Sequence, residues 1–253
     1  MSGRLTVIGL GPGPSRWMTP AAQEALDGAT DIFGYRSYVE RIPARAGQRV
    51  HASDNRVELQ RAGAALAAAQ AGCRAVLVSA GDPGVFAMAA AVFEAMERGP
   101  SEWRALDVAV EPGVTAMLAA AASIGAPLGH DFCAISLSDN LKPWSAIEKR
   151  LRLACEADFA IALYNPASLA RPGGVHRAFE VLRQGKPSTT VIVFARAIGR
   201  EDERVAVTTL ELADPGVADM QTLVLVGSSA TKVLPREGGV LPWVYAPRSM
   251  EPL

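Results

Sequence analysis

The feature that most constrains this chain is a recurring unit in which a short apolar run ends in a glycine- and proline-rich loop and a helix signal follows. Arg4-Leu-Thr-Val-Ile8 leads into Gly9-Leu-Gly11-Pro-Gly13-Pro14, and Ala75-Val-Leu-Val-Ser79 leads into Ala80-Gly-Asp-Pro-Gly84. Such runs read as buried strands, so the units are strand, loop and helix in an α/β fold. Thr19-Pro20 supplies an N-cap followed by proline at the first helical position. Residues 56–71 and an alanine-rich segment ending near Arg98 read as helices, and residues 107–110 as a further strand. Glu111-Pro-Gly113 then punctuates the pattern and is the expected domain boundary, giving domains 1–112 and 113–253.

Beyond it the grammar changes. A small-residue helix from Thr115, a strand over 132–137, a polar loop over 138–143 and a helix over 144–156 precede strands over 159–164, 190–194, 204–209 and 222–226. Residues 195–203 are too few for a helical crossover, so part of this second sheet is expected to be antiparallel. The expectation is therefore two αβα domains, a mainly parallel first sheet and a mixed second one. Residues 242–253, with three prolines, read as an extended tail.

Charge and cysteine usage narrow the function. Among 253 residues, 25 basic side chains face 26 acidic ones, which argues against a protein that tracks nucleic-acid phosphates. Only Lys142, Lys149, Lys186 and Lys232 are lysines; the arginine excess would suit a carboxylated ligand, and equally a GC-rich genome. Cys73, Cys133 and Cys155 are odd in number and widely spaced, which suggests neither disulfides nor a metal site. The start of the chain reads as strand and turn, and no apolar stretch is long enough for a bilayer, so a cytoplasmic protein is expected.

Glycines after a first strand invite a dinucleotide reading. Pro12 and Pro14 oppose it by removing N–H donors that a phosphate needs, and the helix starts only near Thr19. The spacing is GxGxG, with no acidic residue closing an obvious second strand. A structural turn and a trough for a non-phosphate ligand remain. In the second loop Gly81 permits close approach to the backbone and Asp82 offers an anionic acceptor, although Gly-Asp-Pro-Gly is also ordinary turn chemistry.

Taken together, GLGPGP at 9–14, SAGDPGVF at 79–86, EPGVTA at 111–116 and Ala-Ile-Gly at 197–199 resemble, in order and spacing, the tetrapyrrole methylases. The resemblance covers nearly the whole chain. It implies two α/β domains with S-adenosylmethionine in the cleft between them, S-adenosylhomocysteine as product, and a homodimer. The stretch from Ala126 to Trp144 and Leu163-Tyr-Asn-Pro166 resemble the branch that methylates C17 of a corrin precursor and contracts the ring. A methylase of another ring carbon, or of a cobalt-containing macrocycle, is the alternative.

Carried over residue by residue, the resemblance assigns Pro12, Ala80, Gly81, Asp82, Val85, Thr115 and Ala116 to the cofactor. Asn165, Ala197 and Thr222 join them from the second domain, Asn165 by its backbone because some relatives carry an apolar residue there. The implied reaction also extrudes C20 with an acetyl group, so a tertiary alcohol loses its proton as carbon migrates and a lactone opens, which calls for a positioned base. Asp139, His130 and Tyr164 are candidates, with Lys142 as electrostatic partner. Each has a plainer reading: Asp139 as a helix cap, His130 as a satisfied loop histidine, Tyr164 as a strand residue with a paired hydroxyl. Trp144 reads as a core anchor, and Arg16, Arg36 and Arg41 are candidates to meet substrate carboxylates, although most arginines are expected on the solvated surface.

Overall fold

A computed structural model describes residues 3–43, 45–55, 57–167 and 173–249. The chain divides into two compact units, Met1–Thr115 and Ala116–Leu253.

In the first unit the order is β1 (Arg4–Gly9), α1 (Pro20–Gly28), β2 (Asp31–Tyr35), α2 (Arg36–Val39), β3 (Arg49–Ser53), α3 (Glu58–Gln70), β4 (Arg74–Ser79), α4 (Met88–Arg98) and β5 (Asp107–Glu111). The five strands form one parallel sheet in the order β3-β2-β4-β1-β5. Its pleat splits the core in two. Leu5, Val7, Ala75 and Leu77 pack with the small buried side chains of α3 and α4, whereas Ile8, Val76 and Val78 pack on the opposite side with Ala22 and Leu26 of α1. Alternate residues of a strand covered on both faces must all be apolar, as they are here.

Two strands of this sheet carry little apolar signal. β2 opens on Asp31, and every residue of the edge strand β3 from Arg49 to Ala52 is exposed. Asp31 is nonetheless buried, because partners from the adjacent strand reach it. Arg49 donates two bonds to its carboxylate, at 2.8 and 2.7 Å, His51 Nε2 lies 2.8 Å away, and Thr30 donates at 2.8 Å. The His51 ring stacks on Phe33 at 4.3 Å between centroids. The Arg49 guanidinium, helped by His51 and Thr30 and opposed by burial, holds the Asp31 carboxyl well below the usual carboxylate range. A depressed folded-state pKa contributes stability that is complete above about pH 4 and is lost as pH falls through the folded value. Asp31→Asn is therefore expected to lower the urea midpoint at pH 7, with the deficit against wild type shrinking below about pH 4. A deficit independent of pH would assign the loss to packing alone.

The second unit contains α5 (Ala116–Ile124), β6 (Gly125–Ala126), β7 (Phe132–Ser136), α6 (Trp144–Glu156), β8 (Ala160–Tyr164), α7 (Gly174–Gly185), β9 (Val191–Arg196), β10 (Arg204–Thr209), β11 (Thr222–Val226), β12 (Lys232–Leu234) and β13 (Trp243–Tyr245). Its main sheet runs β10-β9-β11-β8-β7; β7 and β8 are parallel, and the other neighbours are antiparallel. The short connection between β9 and β10 makes the antiparallel pair its length demands.

Helix α7 has no counterpart in the sequence reading, although Val175, Ala178, Phe179 and Leu182 form its buried stripe at helical spacing. The reading of 242–253 as an extended tail is corrected in part. Trp243–Tyr245 pairs antiparallel with β12 and parallel with β6, and Val244 is fully buried. Three residues between prolines carry too short an apolar pattern to announce a strand. Among the described residues no helix is long and apolar enough to cross a membrane.

Candidate active site

At the carboxyl edge of the first sheet three loops meet, and the first two are joined backbone to backbone. Leu10 N–H donates to the Ser79 carbonyl at 2.9 Å, and Gly11 and Gly81 exchange bonds in both directions at 3.2 and 3.0 Å. The third loop is held by a carboxylate: Asp82 Oδ2 accepts from Gly113 N–H at 3.0 Å while Oδ1 accepts from Gly84 N–H at 2.7 Å. Packing explains the glycines. A Cβ on Gly113 would stand 2.2 Å from the Gly81 carbonyl oxygen and 2.8 Å from Gly9 Cα, and one on Gly9 would stand 2.4 Å from the same oxygen. Gly81 thus serves close approach, but by the chain's own loops. Gly11 and Gly81 also adopt φ of +68° and +63°, which glycine reaches without a steric cost.

The neighbouring candidates sit around this junction. Pro12 is buried beside Gly11, Ala80 and Val85 flank Asp82, and Thr115 is buried where the first unit ends. The Asp82 side chain is committed to backbone, so a ligand meets this loop through main chain. Arg41 donates to the Gly13 carbonyl, Arg36 faces Asp54 at 3.8 Å, and Arg16 lies over the Trp17 ring. Of the three arginines proposed for substrate carboxylates, Arg41 shapes the first loop itself.

In the second unit, β7, β8 and β9 run in one direction, so their carboxyl ends and the amino end of β11 share an edge. Asn165, Ala197, Thr222, Tyr164 and the loop carrying Asp139 and Lys142 gather there. Asn165 and Ala197 both hold φ in the left-handed region, at 54° and 50°. That conformation is uncommon outside glycine and persists where the surroundings enforce it. Asn165 Nδ2 donates to the Ser136 hydroxyl at 2.9 Å, and Ala197 N–H donates to the Gln221 carbonyl at 2.9 Å. Thr222 Oγ1 donates to Asp219 at 2.8 Å, and Asp219 with Asp202 grips Arg196 next to Ala197, at 2.9 and 2.8 Å. The Thr222 side chain therefore belongs to a network that supports Ala197.

The candidates for proton transfer separate. Asp139 is exposed in its loop, and the N-cap position of α6 is Pro143. Burial first, and then the charge of Arg150, lower the pKa of the half-buried Lys142. The Tyr164 hydroxyl accepts from Met117 N–H at 3.1 Å, closing one of the free donors in the first turn of α5, which begins at Ala116. His130 is not with them. It precedes β7, at the opposite edge, about 13 Å of strand from Ser136, and its Nδ1 accepts from the Asp131 N–H at 2.8 Å. Trp144 packs against the core with the Arg177 guanidinium 4.1 Å above its ring, which fits an anchor.

Gly9, Gly113 and Ser136 are the residues of these edges that carried no assignment from the sequence. A glycine at each loop was visible; which carbonyl each must admit was not.

Residues 4–214 match the Tetrapyrrole (Corrin/Porphyrin) Methylases, and the chain belongs to that family. A Sinorhizobium protein named Precorrin-3B C(17)-methyltransferase is 55% identical over 248 residues, which are 98% of this chain and 97% of that one. A Salmonella typhimurium protein named probable cobalt-factor III C(17)-methyltransferase is 44% identical over 232 residues, covering 90% of this chain and 94% of that one. The crystal structure of the methyltransferase CobJ matches with a TM-score of 0.92 at 53% identity, covering 97% of this chain and all of that one.

Proposed function

We propose that this methyltransferase moves the methyl group of S-adenosylmethionine to C17 of precorrin-3B and takes the macrocycle through ring contraction to precorrin-4, within cobalamin biosynthesis. The observation that carries the reading is the 55% identity, along nearly the full length of both chains, with the Sinorhizobium precorrin-3B enzyme. The 44% identity with the Salmonella protein supports a second reading, in which the macrocycle carries cobalt.

The first-unit loops fit the donor. Segments 9–14, 79–86 and 111–115 contain no lysine or arginine, and Pro12, Pro14 and Pro83 lack the N–H groups a phosphate would use. A ligand there meets main chain and small apolar side chains, which suit an adenosine and a sulfonium better than a pyrophosphate. When bound, the donor supplies an already activated methyl group, so alignment contributes more than acid–base help. In this proposal Pro12, Ala80, Gly81, Asp82, Val85 and Thr115 hold it from the first unit. Ala116, Asn165, Ala197 and Thr222 do so from the second, Asp82 and Thr222 without their committed side chains.

Contraction asks more of the protein. Asp139 is assigned as the base that takes the alcohol proton, and Lys142 as the group facing the carboxylate released from the lactone. Tyr164 positions the start of α5, and His130 takes no part. The assignment includes a homodimer, which the family resemblance implies, and a cytoplasmic location, which the cysteine usage suggests.

The test is anaerobic turnover with metal-free precorrin-3B and with its cobalt-containing counterpart, each followed by mass spectrometry. Preferential conversion of the metal-free macrocycle is expected; preference for the cobalt form would establish the second reading. Asp139→Asn should slow contraction at least tenfold and leave S-adenosylhomocysteine affinity unchanged. An unchanged rate would remove Asp139 as the base.

A further inference from the structure

We infer that Ser136 is a positioning residue for the methyl donor, acting by holding Asn165 in its left-handed conformation; this rests on the donor-binding reading of Asn165. Asn165 carries two steric penalties. Its φ of 54° lies in the left-handed region, which asparagine adopts more readily than most residues but at more cost than glycine, and Pro166 follows it, which drives the preceding residue toward extended backbone. Something must hold it there.

The Ser136 hydroxyl is built for this. Strands β7 and β8 place Ser136 directly beside Tyr164, so Asn165 is the first residue past the pairing. Ser136 is only 5% exposed, which fixes its side chain. Its oxygen accepts from Asn165 Nδ2 at 2.9 Å and from Ser138 N–H at 3.3 Å. One hydroxyl therefore ties together the turn after β8 and the first residue of the loop that carries Asp139 and Lys142. The Asn165 carboxamide is thereby directed to Ser136, in line with a backbone role toward the donor.

If only the left-handed conformer of Asn165 binds, apparent affinity is reduced by the fraction of molecules that have lost it. Ser136→Ala is then expected to weaken S-adenosylhomocysteine binding by calorimetry about tenfold, with melting temperature little changed. In turnover the KM for the donor rises and kcat stays near wild type. The decisive pair is Asn165→Gly and Asn165→Ala. Glycine takes positive φ with no steric cost and needs no tether, so Asn165→Gly combined with Ser136→Ala recovers the affinity that Ser136→Ala loses. Asn165→Ala in the same background does not.

Binding by Ser136→Ala equal to wild type, or failure of the glycine to rescue it, overturns the inference while leaving the donor assignment intact. Absence of S-adenosylhomocysteine binding by the wild-type protein overturns both. If Ser136→Ala fails to fold, the Asn165 pair with Ser136 retained decides: loss of affinity in Asn165→Gly equal to that in Asn165→Ala assigns the contact to the asparagine side chain and contradicts a backbone role.

Discussion

Gly113→Ala is expected to destabilise the protein by about 3 kcal/mol, the upper part of the range for forcing atoms into a packed site. The added Cβ would stand 2.2 Å from the Gly81 carbonyl oxygen and 2.8 Å from Gly9 Cα. Both obstacles are backbone, so no side chain can swing away. Relief requires the third loop to retreat, and that retreat breaks the Gly113 N–H bond to Asp82. Thermal unfolding should fall by roughly 6–12 °C, and S-adenosylhomocysteine affinity should drop more than tenfold because the same three loops form the proposed donor site. Gly28→Ala is the matched control. Gly28 closes α1 with open space around it, and alanine there is expected to be neutral or slightly stabilising. Wild-type stability and affinity in Gly113→Ala would show that the loops are not joined as described.

Asp158→Ala should cost about 3 kcal/mol for a different reason, the stranding of a buried charge. Lys186 has a side chain only 1% exposed, and its ammonium donates to Asp158 Oδ1 at 3.1 Å. Ser229 donates to the same carboxylate through its N–H and its hydroxyl. Without the carboxylate the ammonium stays buried and unpaired, a loss usually worth 3–5 kcal/mol. The lower end applies because the Asp158 side chain is 41% exposed. Asp158 also holds φ of 54°, which an alanine adopts less readily than an aspartate. Lys186→Met in the Asp158→Ala background should recover much of the stability, since removing both partners leaves no orphan charge. Equal loss in the single and double variants would contradict the pairing argument. Chemical denaturation of the three proteins decides it.

What could be read beforehand follows the range of the interactions. Strand, loop and helix units at Arg4–Gly9 and Arg74–Ser79 are local patterns, and both strands stand where the apolar runs put them. The antiparallel pairing of β9 with β10 followed from chain length alone. Strands β2 and β3 escaped because Asp31 looks polar until Arg49 and His51, on the neighbouring strand, are seen to satisfy it. Glycine loops were legible as places of close approach, yet the partner of Gly81 is the backbone of Gly9 and Gly113, a meeting of distant segments. Asp139 could be read as a base or as a helix cap, and the N-cap position of α6 is held by Pro143. His130 was grouped with Asp139 as a candidate base, and a strand between them carries it to the other edge of the sheet.

The central claim is that one methyl group reaches C17 and the macrocycle contracts. Anaerobic incubation of the purified protein with precorrin-3B and methyl-deuterated S-adenosylmethionine tests it most directly, with the product analysed by mass spectrometry and NMR. A single deuterated methyl at C17 and a contracted ring carrying the extruded acetyl group are expected. A product labelled at another carbon, or an unmodified macrocycle in the presence of bound donor, would contradict it.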